Sequence, residues 1–299
     1  MSESVDCAVI GGGPAGLVGA LYLLRFRRSV LLADKGQSRA SLIPKSHNYP
    51  GFPKGVSGKA LLGRLRRQLE RYGQPATGGE VLSLDRDADR WRVGLADRDV
   101  FARRILIATG VVDRWPDLAN ARAAMDDAAL RFCPICDGFE AREDRIAVFG
   151  GDDHAAREAL FLRTYSKSVS LLAPSLSVGT AARARLAAKG VELIAIQQGS
   201  MRYADRAIHG LYADGRPLDP FAIAYGALGV DPQSGLLKRL AISLEMGGCV
   251  GVDAKQQTSQ PGIYAAGDVV LGLDQISVAV GEAAIAATAI HNSLRDEDE

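Results

Sequence analysis

Short apolar runs alternate with glycine-bearing turns and amphipathic stretches along most of this chain. Val5 to Ile10 is a continuous apolar run ended by Gly11-Gly12-Gly13; a helical pattern follows from Ala15 to Phe26, and Ser29 to Ala33 reads as a second buried strand. That order is a βαβ unit. A polar stretch with Gly and Pro spans Asp34 to Gly58. It leads to a charged helix near Lys59 to Tyr72, whose Arg64, Arg66, Arg67 and Arg71 are expected on a solvated face. Alternating patterns at Glu80 to Leu84, Arg90 to Leu95 and Val100 to Ala108 predict a small antiparallel insertion that returns to a buried strand ending at Thr109-Gly110.

A second βαβ pattern begins at Arg145: strand Ile146 to Phe149, a glycine-containing turn, helix Ala155 to Tyr165 and strand Ser168 to Ala173. Two such units in one chain predict two nucleotide-binding-type folds. Asp113-Arg114-Trp115-Pro116 and Ala224-Tyr225-Gly226 read as crossings between them. A long Ala-rich helix is predicted from about Ser277 to Leu294, with Asp296 to Glu299 as a frayed tail.

The first glycine turn carries chemistry. In Gly11-x-Gly13-x-x-Gly16 the first glycine permits a tight turn, the second lets backbone approach a pyrophosphate, and the third lets helix pack on sheet. Pro14 and Ala15 open the helix, whose N-terminal N–H groups favour an anion. Asp34, 23 residues after Gly11, ends the second strand, where a carboxylate can accept ribose hydroxyls. A tight turn without a ligand would also use these glycines, but strand, helix and acidic residue stand together in the order a dinucleotide requires. The motif alone leaves FAD and NAD both open.

Composition narrows the function classes. With 299 residues, 47% hydrophobic and 24% charged, the chain is long enough for two ordinary domains. A formal net charge of +1 gives no argument for a nucleic-acid or membrane-surface partner. The first apolar run is too short for a signal segment and no stretch reaches membrane-spanning length, so a cytoplasmic location is expected. Two of the four cysteines form Cys133-Pro134-Ile135-Cys136, a spacing that is redox-catalytic or metal-binding in a reducing compartment. As a zinc half-site it would need two further ligands. Cys7 in the first strand and Cys249 in a glycine-rich loop form no second pair, so no metal is predicted. Cys7 reads as a small buried apolar residue and Cys249 as a bystander.

Thr258-Ser259-x-x-Gly262-Ile263-Tyr264-Ala265-Ala266-Gly267-Asp268-Val269 closely resembles the second flavin motif of the thioredoxin reductases, and Cys133-Pro-Ile-Cys136-Asp137-Gly138 resembles their redox signature. The likeness continues through Asn48-Tyr49-Pro50-Gly51-Phe52, Ile107-Ala108-Thr109-Gly110 and Gln275 to Ala287, in the family's order. It implies an α/β fold of two Rossmann-like domains of the three-layer ββα type. The FAD domain would be discontinuous, residues 1–115 and 226–299, around a pyridine-nucleotide-type domain, 116–225, carrying the cysteines. It further implies FAD contacts from Asn48, Thr109, Gly110 and Gly267, with Asp268 on the ribityl chain. Gln275, Ile276 and Ser277 would open a helix aimed at the flavin pyrimidine edge. Cys136 would face the flavin, Cys133 would attack an external disulfide, and Asp137 would move the thiol proton. Homodimerisation is expected by the same analogy.

Two departures stand out. The second turn reads Gly150-Gly151-Asp152-Asp153-His154-Ala155, with Asp152 where the family has a third glycine, and Pro174-Ser175-Leu176-Ser177 stands where the family has a basic cluster for the NADPH 2′-phosphate. A carboxylate there crowds and opposes a pyrophosphate. The expectation is that NADPH binds weakly or not at all. NADH use or an altered pose is the alternative, with Arg157, Arg163, Arg183 or Arg185 supplying charge; His154 is read as an exposed helix-start residue. The sequence therefore predicts an FAD-dependent dithiol/disulfide oxidoreductase whose partner is a thioredoxin-like redox protein or a small dithiol or disulfide. Alternatives are an NADPH-dependent thioredoxin-disulfide reductase, a dithiol oxidase using oxygen, and a flavin redox sensor without turnover.

Overall fold

A computed structural model describes residues 3–73 and 75–299. The chain opens with β1 (Glu3–Ile10), α1 (Pro14–Arg25), β2 (Val30–Ala33), α2 (Gly58–Glu70), β3 (Ala76–Gly78), β4 (Ser83–Asp87), β5 (Arg90–Gly94) and β6 (Asp99–Ile107). After β7 (Val111–Asp113) come α3 (Ala121–Asp126), β8 (Leu130–Arg131), α4 (Pro134–Asp137), β9 (Ile146–Phe149), α5 (Asp153–Leu162), β10 (Val169–Ala173), α6 (Thr180–Ala188), β11 (Glu192–Ala195), the hairpin β12 (Arg202–Ala204) and β13 (Ala207–His209), and β14 (Ile223–Gly226). The return passes β15 (Val230–Pro232) and ends with β16 (Ile263–Ala265) and α7 (Ile276–Asp298). Two compact units result: residues 1–45, 49–112 and 231–299 form the first, and 46–48 with 113–230 the second.

In the first unit the sheet order is β3-β2-β1-β6-β5-β4, with β16 also on β6. On its edge away from β1, β6 serves two neighbours because it is long: Asp99 to Ala102 pair antiparallel with β5, while Ile105 to Ile107 pair parallel with β16. The β1 register, Cys7 opposite Val30 and Arg104, buries apolar side chains on both faces. One face packs α1 and α7 around Leu17, Leu23, Leu106, Ala283, Ala287 and Ile290; the other collects Trp91, Val93, Ile105, Leu237 and Val250. The small side chains Ala279, Ala283, Ala286 and Ala287 let α7 approach closely along a helical stripe.

The second unit has a parallel sheet in the order β11-β10-β9-β14-β8. Its core holds Phe149, Leu172, Phe221 and Leu130 on one face, and Val148, Leu162, Leu171 and Tyr225 on the other. Ala224-Tyr225-Gly226, expected as a crossing, is instead the end of β14, beside β9; the chain leaves the unit after Val230.

The predicted frayed tail is also corrected. α7 continues to Asp298, although acidic groups at a helix C-terminus oppose its dipole. Arginines from elsewhere in the unit offset that repulsion: Arg28 Nη1 lies 2.7 Å from Asp298 Oδ2, and Arg103 Nη2 lies 2.8 Å from Asp298 Oδ1 and 3.1 Å from Glu297 Oε2. Arg104 also reaches Glu297, and its Nε donates to Ser293 Oγ at 3.0 Å. Hydrogen bonding from Arg104 holds the Glu297 carboxyl below its ordinary range, as Arg28 does for Asp298. These depressed values mean that the contribution is present above the ordinary carboxylate range and lost as pH falls. Deleting residues 296–299 is expected to lower the melting temperature by a few degrees at low salt and neutral pH, and by less in high salt, in paired scanning calorimetry.

Candidate active site

The first unit brings together most of the residues expected at a dinucleotide. Gly11 has φ +118°, and a Cβ there would lie 2.2 Å from the Ala108 carbonyl oxygen; a Cβ on Gly16 would lie 1.8 Å from the Gly11 carbonyl oxygen. Only glycine permits this approach of α1 to β1. Gly12, which sequence reasoning passed over, is constrained too: its missing Cβ is where the Asp34 carboxylate sits. Asp34 Oδ1 accepts from Gly36 N at 2.8 Å and Oδ2 from Arg66 Nη2 at 3.2 Å. Arg66 is therefore tied to this corner, although its helix was expected only to be solvated.

Gly13 is the N-cap of α1, with Pro14 at the first helical position. Its missing Cβ would meet only Ser38 Oγ, at 3.3 Å, so the N-terminus of α1 has no capping side chain of its own and a glycine-wide space above it. Such a cradle fits the diphosphate of a dinucleotide, and Asp34 at the strand end fits its ribose.

The remaining expected contacts converge on the same unit. Thr109 Oγ1 donates to Gln233 O at 2.7 Å, and Gly110, with φ +68°, accepts from Gln233 N at 2.9 Å. Gly267 has φ +80° and donates its N–H to Glu282 Oε2 at 2.8 Å. Asp268 Oδ2 lies 2.9 Å from Arg39 Nη1, which also reaches Asp274 at 3.6 Å. Gln275 is the N-cap of α7, followed by Ile276 and Ser277 in its first turn. Burial raises the Glu282 carboxyl above its ordinary range. Arg39 and Glu282 escaped sequence reasoning because a single charged residue in a loop or helix has no spacing signal. Asn48 is not in this group: it belongs to the second unit, and its Nδ2 donates to Ile135 O at 3.5 Å.

In the second unit Cys133 and Cys136 are joined in a disulfide, with Cα atoms 5.3 Å apart. The single turn of α4 produces that proximity. Cys133 is its N-cap, Pro134 its first residue, and Cys136 N donates to Cys133 Sγ at 3.2 Å. The same N–H would support a Cys133 thiolate once the bond opens. Ile135, between the two cysteines, and Phe139, three residues after Cys136, leave 46% and 61% of their surfaces exposed, an apolar margin at the disulfide.

Asp137 follows directly. Tyr225 Oη donates to its Oδ1 at 2.8 Å, and Arg131 Nη1 donates to its main-chain oxygen at 2.7 Å. Burial pushes the Asp137 carboxyl up to about 6, against the Arg131 charge and the Tyr225 hydrogen bond. A group titrating there can both give and accept a proton near neutrality. Tyr225 and Arg131 were missed: a tyrosine ending a buried strand is indistinguishable by pattern from a core aromatic.

The second glycine turn is built differently from the first. Asp152 is the N-cap of α5, and its Oδ1 accepts from Ala155 N at 3.0 Å. The carboxylate folds back onto the helix N-terminus. Asp153 Oδ1 accepts from Gly179 N at 2.7 Å, and Gly151 O accepts from Ser177 N at 2.6 Å, so the loop after β10 is stitched onto the turn. A Cβ on Gly151 would lie 2.2 Å from Ser175 O, so that glycine serves loop packing. His154 is exposed in the first turn of α5. Cys7 is buried, with its thiol pushed far up by desolvation; Cys249 is partly buried. Among the described residues no helix is long and apolar enough to cross a membrane.

A sequence model of the family described as pyridine nucleotide-disulphide oxidoreductase matches residues 5–283. The thioredoxin reductase of Streptomyces coelicolor is 29% identical, with 100% of this chain and 97% of that protein covered. The thioredoxin reductase of Aquifex aeolicus is 26% identical over 97% of this chain and 93% of its own length. Among solved structures, thioredoxin reductase from Streptococcus pyogenes superimposes with a TM-score of 0.91 at 27% identity, covering 99% of this chain and 100% of that one. The structure of HlmI gives 0.91 at 29% identity over 100% and 95%.

Two tests follow from the geometry. Gly13→Asp places on α1 the cap that Asp152 provides on α5; its flavin-free form is expected to be at least as stable as flavin-free wild type, while the purified protein carries at least about 10-fold less flavin by absorbance. For Asp137, the raised value makes the protonated form the stabilising one: its contribution is complete below 3.8 and lost as pH rises through about 6. Asp137→Asn stays neutral, so its stability relative to wild type should climb between those values by up to about 3 kcal/mol in urea titrations.

Proposed function

The chain belongs to the pyridine nucleotide-disulphide oxidoreductase family, and from that premise we propose that it is an FAD-dependent dithiol oxidase, receiving electrons from a dithiol at Cys133/Cys136 and not from NADPH. The coarser description, a thioredoxin reductase-like flavin-dependent disulfide oxidoreductase, follows from its relatives. The observation that carries the finer reading is Asp152 Oδ1 on Ala155 N. A pyridine nucleotide needs the N–H groups of that helix start for its diphosphate. Here a carboxylate of the chain already takes one of them, Ala155 N–H, and its charge repels phosphate.

FAD would be held by the Gly11–Gly16 turn, Asp34, Thr109, Gly110, Gly267, Asp268 and the start of α7. Bound there, FAD would supply two-electron redox chemistry between the reduced cysteine pair and dioxygen, with hydrogen peroxide as the reduced product. The chain's own residues carry out the exchange. A substrate thiolate attacks Cys133 Sγ; the Cys133–Cys136 bond breaks, and Cys136 leaves as a thiolate that Asp137 protonates. The second substrate thiol attacks the substrate sulfur of the mixed disulfide, closing the product disulfide and releasing Cys133 as a thiolate supported by Cys136 N–H. Two electrons have then moved from substrate to the cysteine pair, with one proton on Cys136 and Cys133 left as a thiolate; the proton of the second substrate thiol returns to the Asp137 carboxylate, and that of the first has gone to solvent. Ile135 and Phe139 supply apolar contact for a small dithiol or for a thioredoxin-like protein. Asn48 is assigned to the redox turn in this reading, through Ile135 O.

The second reading, an NADPH-dependent thioredoxin-disulfide reductase, is favoured by the names of the relatives. Anaerobic mixing with NADPH, NADH or dithiothreitol, followed by flavin absorbance, separates them. Bleaching by dithiothreitol alone, with colour and peroxide appearing on admission of air, is expected. Rapid bleaching by NADPH would establish the reductase, and no bleaching by any of the three would leave a redox sensor.

A further inference from the structure

We infer that Tyr225, steadied by Arg131, is a positioning residue for Asp137, its hydroxyl orienting the carboxylate beside the disulfide and setting the pH range over which the thiol proton is moved. This rests on the acid/base role proposed above for Asp137.

The ring of Tyr225 is 1% exposed, in the core between α5 and the second sheet. Phenylalanine would fill that volume equally well, so the oxygen is what calls for explanation. A buried tyrosine hydroxyl must find partners. Both acceptors within its reach belong to Asp137, Oδ1 at 2.8 Å and the main-chain oxygen at 3.2 Å. The hydroxyl oxygen in turn accepts from Arg131 Nη1 at 3.4 Å. Arg131 is itself anchored, donating Nε to Ala128 O at 2.9 Å and Nη1 to Asp137 O at 2.7 Å. The result is a directed relay, Arg131 to Tyr225 to the carboxylate, in which one donor is aimed at one carboxylate oxygen.

Four groups face Asp137 from the elements around it. Arg131 on β8 and Tyr225 on β14 favour its ionised form; Glu140, in the turn after α4, opposes ionisation; and His47, 3.7 Å from Glu140, favours it. Tyr225 is the member that donates to the carboxylate at short range. Without that donor the ionised carboxyl is partly buried and less well solvated, so its proton is held more tightly. The consequence for exchange is specific: removing the hydroxyl shifts the pH dependence and leaves the fold in place.

The test uses flavin-loaded enzyme, wild type, Tyr225→Phe, Arg131→Gln and Asp137→Asn, mixed anaerobically with dithiothreitol from pH 5 to 9. Disulfide opening is read by rapid thiol trapping, which does not depend on flavin. Tyr225→Phe should melt near wild type while the Asp137-dependent inflection moves up by about one unit; Arg131→Gln should move it the same way. Asp137→Asn should lose the inflection, and adding Tyr225→Phe to it should change nothing further. A Tyr225→Phe profile that superimposes on wild type, or one lowered equally at every pH, overturns the inference while leaving Asp137 in its role. Persistence of the inflection in Asp137→Asn overturns that role itself, and the inference with it.

Discussion

The first N–H groups of a helix have no partner within the helix, and whatever satisfies them decides what the helix can bind. Each of the two units presents a helix start just after a buried parallel strand, and the two starts are satisfied differently. On α1 the cap is Gly13, which offers no side chain and leaves a glycine-wide space. On α5 the cap is Asp152, whose carboxylate accepts Ala155 N–H, with the 174–179 loop tied over the turn through Ser177 and Gly179. One fold keeps an anion cradle. The other carries a side-chain cap worth about 1 kcal/mol to its helix.

That difference organises the chemistry. The disulfide lies in the unit whose cradle is capped, and the same unit supplies its own proton-handling group: α4 closes Cys133 onto Cys136 within one turn, and Asp137 sits at the end of that turn with Tyr225 and Arg131 behind it. Its carboxyl is raised mainly by burial, the cause that most simply places an acid near neutrality. In the proposed dithiol route electrons arrive as thiols and need no second nucleotide, so a capped α5 is compatible with the exchange site.

Much of the fold was legible because its signals are periodic or backbone-dictated. The continuous apolar runs of β1 and β9 and the glycines at 11 and 16 each have one economical explanation, and the contacts of those glycines leave no room for a side chain. Two- and three-residue strands such as β3, β8, β12 and β13 carry too few positions for a period, and β14 was read as a crossing because its Tyr225-Gly226 end looks like a turn. The extension of α7 to Asp298 was hidden because Arg28, Arg103 and Arg104 are distant in sequence from Glu297 and Asp298. Asp152 was recognised as a departure that crowds a pyrophosphate and opposes its charge; the structure adds that the side chain turns back as a cap on α5. Arg39, Tyr225 and Glu282 act through contacts between segments, which no local pattern encodes.

In the proposed dithiol route, α5 with its Asp152 cap does not take a pyridine nucleotide. Calorimetric titration of the flavin-loaded protein with NADPH measures this without reference to turnover. No saturable heat is expected up to about 1 mM nucleotide, a free energy of binding weaker than about 4 kcal/mol. A saturable isotherm in the micromolar range would contradict it.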